Sequence, residues 1–160
     1  MNDIDLKHLR SAIGVAQRAR DHGNHPFGAV LADSAGRVVL EAENTVNTER
    51  DKTGHAELNL VRQATQRFSE QELAGYTMYA STELCAMCAG ATFWAGIGRV
   101  VYALSEPELY AIAGHSPNQL VIPCREIFAR AGRKTEVHGP SAELDGAARA
   151  VHADFWRRNT

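Results

Sequence analysis

The chain has little cysteine, no long apolar run and no strong excess of charge. Three cysteines in 160 residues are too few, and odd in number, for a disulfide framework, and they fit a reducing compartment. No stretch reaches the roughly 18 apolar residues that a membrane span requires, and the N-terminus lacks a basic region followed by an apolar run. The sequence therefore predicts a cytoplasmic protein with no membrane partner.

The charge balance argues against nucleic acid as a partner. The formal net charge is −2, whereas a domain that grips a polyanion usually has a basic excess or a basic patch. The basic residues are dispersed apart from two short clusters, at 130–134 and 157–158, which are typical of solvated helix ends. A hydrophobic content of 44% suffices for one core, so residues 1–160 are predicted to form a single domain.

Two of the cysteines form a Cys-x-x-Cys element, and a His-x-Glu element precedes it. The residues are His55, Glu57, Cys85 and Cys88. A structural zinc is normally closed by four protein ligands, whereas a catalytic zinc takes three and keeps one position for water. The His and the two Cys supply three ligands, and the Glu can face the same site as an acid/base group. The pattern predicts a hydrolytic zinc site and matches the signature of the nucleobase deaminases.

Three other interpretations of the cysteines stay open at this point. Cys85 and Cys88 could form a redox pair. Cys124, the third cysteine, could be a fourth ligand that closes a structural zinc site and leaves no position for water. All three could be small buried apolar residues. The joint presence of the two elements favours the open zinc site.

Hydrophobic periodicity predicts helices and strands that alternate with short links. The predicted helices cover 4–20, a segment that begins near 54, 85–95, part of 118–130, and 141–157. The predicted strands cover 28–32, 38–42, 76–80, 99–103 and 135–138. The strand, helix and strand between 76 and 103 should form a right-handed parallel crossover. The fold class is therefore α/β, with three α/β/α layers around a mixed five-stranded sheet.

Several motifs within this order of elements carry a family resemblance. They are Asn24-His25-Pro26-Phe27-Gly28-Ala29-Val30, Asn44, His55-Ala56-Glu57, Glu83-Leu84-Cys85-Ala86-Met87-Cys88-Ala89-Gly90-Ala91 and Trp94-Ala95. In these motifs the chain resembles the cytidine deaminase-like superfamily, and within it the bacterial guanine deaminase branch. The resemblance spans about residues 5–157.

The resemblance implies a role for each matching residue. His55, Cys85 and Cys88 would bind Zn²⁺, and Glu57 would shuttle protons. Asn44 would bond the edge of the base, Phe27 and Trp94 would contact its flat ring, and the backbone of Ala56 would meet its carbonyl or ring nitrogen. From the residues alone, the two aromatic side chains could instead belong to the core, and Asn44 could be a turn residue.

One loop departs from the pattern of the resembled branch. Where guanine deaminases typically supply an acidic residue to the substrate, this chain reads Gly114-His115-Ser116-Pro117-Asn118, which makes His115, Ser116 and Asn118 candidates for a substrate loop. Glu106, Glu108 and Glu143 are candidates for the missing carboxylate, but each is predicted to be a surface residue.

The sequence thus predicts an aminohydrolase that releases ammonia from a free nucleobase or a related amino-heterocycle, of the guanine or modified purine type. Cytosine and s-triazine (ammeline-like) substrates, a tRNA adenosine deaminase and a catalytically idle zinc-binding domain stay open as alternatives. The resemblance also implies a homodimer. Phe155 and Trp156 would be an apolar cap over the active site of the same chain or of its neighbour.

Overall fold

Five strands form one mixed sheet, and helices cover both of its faces. A computed structural model describes residues 1–117 and 119–156. The strands are β1 (Gly28–Ala32), β2 (Val38–Glu43), β3 (Thr77–Thr82), β4 (Arg99–Leu104) and β5 (Glu136–His138). The helices are α1 (Asp3–Asp21), α2 (Ala56–Arg67), α3 (Glu70–Leu73), α4 (Ala86–Ala95), α5 (Glu106–Ala113), α6 (Cys124–Ala129) and α7 (Asp145–Ala150). The predicted three-layer α/β/α architecture is confirmed.

The order of strands across the sheet is β2-β1-β3-β4-β5. β1 pairs antiparallel with both β2 and β3, whereas β3, β4 and β5 run parallel to one another. β3 and β4 are joined through α4, as the predicted crossover requires. Because they are parallel, their carboxyl ends meet at one edge of the sheet, where ligand sites form in α/β folds.

Each face of the sheet has its own hydrophobic core. On one face, the buried side chains of α2 and α4 pack with those of the strands, including Leu60, Met78 and Cys88. On the other face, α1 and α7 pack over the strands, with Leu9, Val30 and others buried between them. Within residues 1–117 and 119–156, no helix combines the length and the apolar character needed to cross a bilayer.

Helix α1 lies unusually close to the start of β1. A Cβ atom at Gly28 would overlap the backbone of Ala12 and Ala16, so this position accepts only glycine without a shift of α1. The contact holds Phe27, the preceding residue, between the helix and the carboxyl-terminal region of the chain.

A buried ion pair ties α1 to the strands. Two nitrogens of Arg99 donate to the carboxylate of Asp5 at 2.7 and 2.9 Å, and the hydroxyl of Tyr79 donates to the same carboxylate at 3.0 Å. Asp5 also closes a capping box with Asn2 at the start of α1. The hydrogen bonds from Arg99 are the main reason why the pKa of Asp5 lies well below its usual range.

The structure differs from the sequence prediction in three helices. α3 and α5 were not predicted, although each begins with a Ser-x-x-Glu capping box, Ser69 with Glu72 and Ser105 with Glu108. The closing helix predicted over 141–157 is much shorter, because α7 ends at Ala150 and is followed by turns. The end of that prediction, residue 157, lies outside the described residues.

Candidate zinc site and active-site pocket

The predicted zinc ligands lie at the N-termini of two neighbouring helices. His55 immediately precedes α2, Cys85 immediately precedes α4, and Cys88 lies in the first turn of α4. The two helices pack against each other. As a result His55 Nδ1 lies 3.5 Å from Cys85 Sγ and 3.6 Å from Cys88 Sγ.

This geometry fits a tetrahedral zinc ion. The three ligand atoms lie within 4.8 Å of one another. Zinc bonds of about 2.0–2.1 Å to nitrogen and about 2.3 Å to sulfur, arranged tetrahedrally, separate the nitrogen from each sulfur by about 3.5 Å. In the part of the chain that the structure describes, no fourth ligand joins this group, and Cys124 is buried at the start of α6. Zinc is therefore the cofactor, and three protein ligands leave one coordination position for water.

The surroundings of Cys85 favour its thiolate form. Hydrogen bonds with Cys88 and His55 lower the pKa of Cys85 to about 4. The N-terminus of α4 adds a favourable dipole for a negative sulfur. Because zinc binds the thiolate and not the thiol, this environment favours metal binding at neutral pH.

Glu57 lies beside the ligands in the first turn of α2. Its side chain is buried, and its Oε2 lies 3.6 Å from Cys88 Sγ. Burial raises the pKa of Glu57 to about 7. A carboxyl group whose pKa is near neutral pH can both take and release a proton, which is what general acid–base catalysis requires.

His55, Cys85 and Glu57 face a cavity of about 540 Å³, within the range of small-molecule sites. Aromatic and imidazole rings form one wall. The ring of Trp156 lies 5.3 Å from His25 and 6.1 Å from Phe27, and it stacks on His152 at an interplanar angle of 13°. Burial lowers the pKa of His152 to about 4 and also lowers that of His25. The wall is therefore uncharged at neutral pH and suits a planar heterocycle.

Two further carboxylates lie in the pocket wall. Glu83 follows β3 and Glu106 lies near the end of β4, and both are buried. Glu83 accepts hydrogen bonds from the backbone N–H of Cys124 and that of Glu106, each at 3.1 Å. Glu106 Oε1 accepts one from the hydroxyl of Tyr110 at 2.6 Å. Burial raises the pKa of Glu106 to about 7.

Most of the predicted site residues meet in this cavity. His55, Glu57, Cys85, Phe27, His115, Ser116 and Trp156 line it. Cys88 lies just behind, fully buried in the core. Ala56 is also fully buried, as the first residue of α2. Asn118 lies outside the described residues.

Trp94 and Asn44 lie elsewhere. The side chain of Trp94 is 83% exposed on α4, so the prediction that it contacts the substrate in its own chain is wrong. Its neighbour Phe93 turns inward instead and packs against the core. Asn44 is buried and is not among the residues that line the cavity. Its side-chain oxygen accepts a hydrogen bond from the N–H of Val46 at 3.1 Å, as a turn residue does, and its bond to the base stays a prediction.

The C-terminal segment contributes one side chain to the pocket wall of its own chain. Trp156 lines the cavity, while Phe155 packs at 6.0 Å from His25 and lies under the guanidinium of Arg20. One of the two predicted cap residues, Trp156, thus lies in the pocket wall of its own chain, and the cap itself stays a prediction.

Several residues of the pocket wall were not predicted from the sequence. Glu106 was predicted to be a surface residue, but it is only 3% exposed, whereas Glu143 is indeed exposed and pairs with Arg10. Glu83, Tyr110 and His25 also line the cavity. The available signal was position, because charged residues directly after parallel strands lie at the edge of the sheet where ligands bind.

Comparison with known proteins agrees with this site. Residues 2–104 match the family described as "Cytidine and deoxycytidylate deaminase zinc-binding region". The chain is 40% identical over 159 residues to a probable cytosine deaminase of Schizosaccharomyces pombe, which covers 98% of this chain and 94% of that protein. It is 40% identical over 101 residues to guanine deaminase of Bacillus subtilis, which covers 62% of this chain and 64% of that protein.

A solved structure from a study of tRNA:A34 deaminases has a similar fold. It superimposes with a TM-score of 0.72 at 24% identity, over 91% of this chain and 99% of that chain. The family match covers the zinc ligands and Glu57, whose geometry is that of a three-ligand zinc site. The chain therefore belongs to the zinc-binding cytidine and deoxycytidylate deaminase family, in the cytidine deaminase-like fold.

Proposed function

We propose that the protein hydrolyses the amino group of a free heterocyclic base and releases ammonia. The observation that carries the proposal is one cavity that is lined both by the zinc site and by aromatic and imidazole rings. His55, Cys85 and Glu57 line it, with Cys88 in the same ligand group, and so do Phe27, His25 and Trp156. Aromatic walls next to a hydrolytic centre suit a flat ring that carries an exocyclic amine.

The chemistry divides between the metal and one carboxylate. Zinc, when bound, activates water as the nucleophile toward the amino-bearing carbon. Glu57 takes a proton from the water and delivers it to the ring nitrogen next to that carbon. It then moves the remaining hydroxyl proton to the amino group, which leaves as ammonia while the carbonyl forms. Glu57 is buried beside Cys88 and borders the cavity, so its carboxylate can reach both the metal-bound water and the substrate.

Cytosine is the first substrate that we propose. The similarity to the probable cytosine deaminase of S. pombe runs almost from end to end, so it includes α5 and the loop after it, which line the same cavity as the zinc site. s-Triazines carry the same amidine group as cytosine, so they are tested as substrates in the same assay of ammonia release.

Guanine is the second candidate. The 40% identity to B. subtilis guanine deaminase supports it, but that match covers only 62% of this chain. The purine substrate that the sequence predicted therefore ranks below cytosine among the proposed substrates. A tRNA substrate is disfavoured because the chain's own Trp156 lies over the pocket and because the net charge is −2.

Ammonia release by zinc-loaded protein from cytosine, guanine, adenine and amino-triazines tests the proposal. Glu57→Gln keeps the size of the side chain and removes proton transfer, so we expect turnover to fall by about 10²- to 10⁴-fold while zinc stays bound. Retained turnover in this variant would show that Glu57 is not the proton carrier. Silence of the wild type across the panel would favour an idle zinc domain.

A further inference from the structure

Glu83 is a buried carboxylate in the short segment that joins β3 to the zinc ligand Cys85. It lies two residues before Cys85 in the chain, is 8% exposed and lines the cavity. Its backbone N–H donates to the carbonyl of Leu104, the last residue of β4, at 2.8 Å. The main chain of Glu83 is therefore fixed to the end of the neighbouring parallel strand.

The side chain of Glu83 bonds the first residues of two helices. Its Oε2 accepts from the backbone N–H of Glu106 and its Oε1 from that of Cys124, each at 3.1 Å. Glu106 begins α5, and Cys124 begins α6. The first N–H groups of a helix have no acceptor within the helix, and the helix dipole favours a negative group beside them. One carboxylate thus caps two helices.

Helix α6 has no nearby side chain that could replace this acceptor. The residue that precedes the helix is Pro123, whose side chain makes no capping hydrogen bond because it has no oxygen. Glu83 supplies the acceptor from 41 residues earlier in the chain. Without it, a buried backbone N–H would lose its partner, which is unfavourable.

The two bonds hold both ends of one segment of the pocket wall, which we call the wall segment (residues 106–124). It contains α5 and the loop after it, and several of its side chains, among them that of Tyr110, line the cavity. Near its far end the side chains of Leu120 and Val121 are 63% and 65% exposed, so packing holds this part only weakly. The place of the wall segment beside the cavity therefore depends on how its ends are held.

We propose that Glu83 is a positioning residue that fixes the wall segment to the zinc-ligand segment (residues 83–88), so that the wall is in place before a substrate binds. Its effect on substrate binding rests on the proposed function, whereas its effect on the wall segment does not. Apparent affinity falls with the fraction of molecules that hold the binding-competent arrangement, and a preorganised wall lowers the cost of ordering. Glu83 needs no contact with the substrate for this role.

Hydrogen exchange of the zinc-loaded protein tests the two bonds directly. In Glu83→Gln, an NH₂ group replaces one of the two acceptor oxygens, so that one backbone N–H faces a second donor. We expect amide exchange in peptides from the wall segment to become faster by about 10-fold, the effect of losing a hydrogen bond to a charged group. Peptides from α2 and α4 should keep their protection. Glu143→Gln, which changes an exposed carboxylate outside the wall segment, is the matched control and should change neither region.

Steady-state ammonia release from the best substrate of the panel tests the effect on binding. We expect Glu83→Gln to raise KM by about 10-fold, because only about one molecule in ten then holds the wall in place. The kcat should change by less than about threefold, since saturating substrate restores the arrangement and the zinc ligands and Glu57 are unchanged. Zinc content should stay at about one per chain. A residue that only stabilised the fold would leave the KM of the folded protein unchanged.

Four results would overturn the inference. Unchanged exchange in the wall segment would show that the two bonds do not hold it, and equally faster exchange in α2 and α4 would show that Glu83 supports the whole fold. Faster exchange with an unchanged KM would show that the held wall does not serve binding. Loss of zinc, or a kcat that falls as far as kcat/KM, would show that Glu83 serves the metal site.

The proposed function and the role of Glu83 can fail separately. If the wild type releases no ammonia from any compound of the panel, the proposed function fails, while hydrogen exchange still decides whether Glu83 holds the wall segment. If Glu83→Gln does not fold, Glu83→Asp is measured in the same way, because it keeps two acceptor oxygens on a shorter side chain that reaches the two N–H groups less well.

Discussion

Three glutamates border the pocket, and their partners give each a different task. Glu57 lies beside the thiolates, with its Oε2 3.6 Å from Cys88 Sγ. Glu83 accepts from two backbone N–H groups, whereas Glu106 accepts from the hydroxyl of Tyr110. Residue type alone does not separate these tasks, because they follow from which donors the folded chain places around each carboxylate.

Substitutions of Cys88 and Cys124 form a matched pair that tests which cysteine binds the metal. Both are fully buried, but only Cys88 lies within the ligand group. We expect Cys88→Ala to lose most of its zinc on dialysis against a chelator and to lose ammonia release, because two ligands remain. Cys124→Ala should keep about one zinc per chain, as measured by metal analysis. Zinc loss from the Cys124 variant would instead point to a closed, structural site.

At the scale of secondary-structure elements, the C-terminal segment differs most from the helix that its hydrophobic periodicity predicts. α7 ends at Ala150, and Asp154 adopts a left-handed backbone conformation with φ 58°, which a continuing helix would not allow. Arg20 donates to the carbonyl of Val151 at 2.7 Å, and His152 is fully buried below the aromatic wall. These contacts outweigh helix propensity and turn Trp156 back over the pocket.

The position of this segment leads us to expect different kinetic effects from substituting the two tryptophans. Trp156→Ala removes a ring from the pocket wall, and because base–aromatic stacking is worth about 1–3 kcal/mol, we expect KM to rise by about 10- to 100-fold with a smaller change in kcat. Trp94→Ala, at an exposed position, should leave both constants unchanged. Steady-state kinetics of ammonia release measures the difference. A raised KM for the Trp94 variant would place that ring in the site of a neighbouring chain.

At the scale of the whole molecule, the Asp5–Arg99 pair holds α1 against the sheet, and α1 in turn supports Phe27 through Gly28. Asp5→Asn should lower the free energy of unfolding by about 3 kcal/mol, toward the lower end for a broken buried pair because Arg99 keeps some contact with water. Asp3→Asn, an exposed residue in the same helical turn, should change it by less than about 0.5 kcal/mol. Urea denaturation at pH 7 measures both.

The same pair predicts a pH dependence. Folding lowers the pKa of Asp5, so its contribution is complete above the unfolded-state pKa of about 3.9 and is lost as the pH falls toward the folded-state value. The stability gap between wild type and Asp5→Asn should therefore narrow as the pH falls below about 4. A difference in stability that stays constant down to pH 2.5 would show that Asp5 contributes through packing and not through its charge.

The predicted homodimer concerns a second copy of the chain and stays a prediction.

The sequence sufficed where the physics is local. Periods of two and of three to four residues placed all five strands, and the capping boxes at Ser69 and Ser105 would have revealed α3 and α5. His55, Glu57, Cys85 and Cys88 were recognisable because zinc chemistry demands those residue types at those spacings. The residues of the pocket wall were harder to predict, because no chemistry requires an isolated Trp or Glu at a particular spacing.

By itself, then, the sequence determined the layered fold and the zinc chemistry, because both depend on short-range patterns. Only the tertiary structure decided what surrounds the substrate. It turned Trp94 to the surface, placed Trp156 beside His25, and buried Glu106 in the pocket wall. The reason is that these positions depend on contacts between segments as distant as α1 and the residues after α7. Such contacts are set by the packing of whole elements, and no local pattern specifies them.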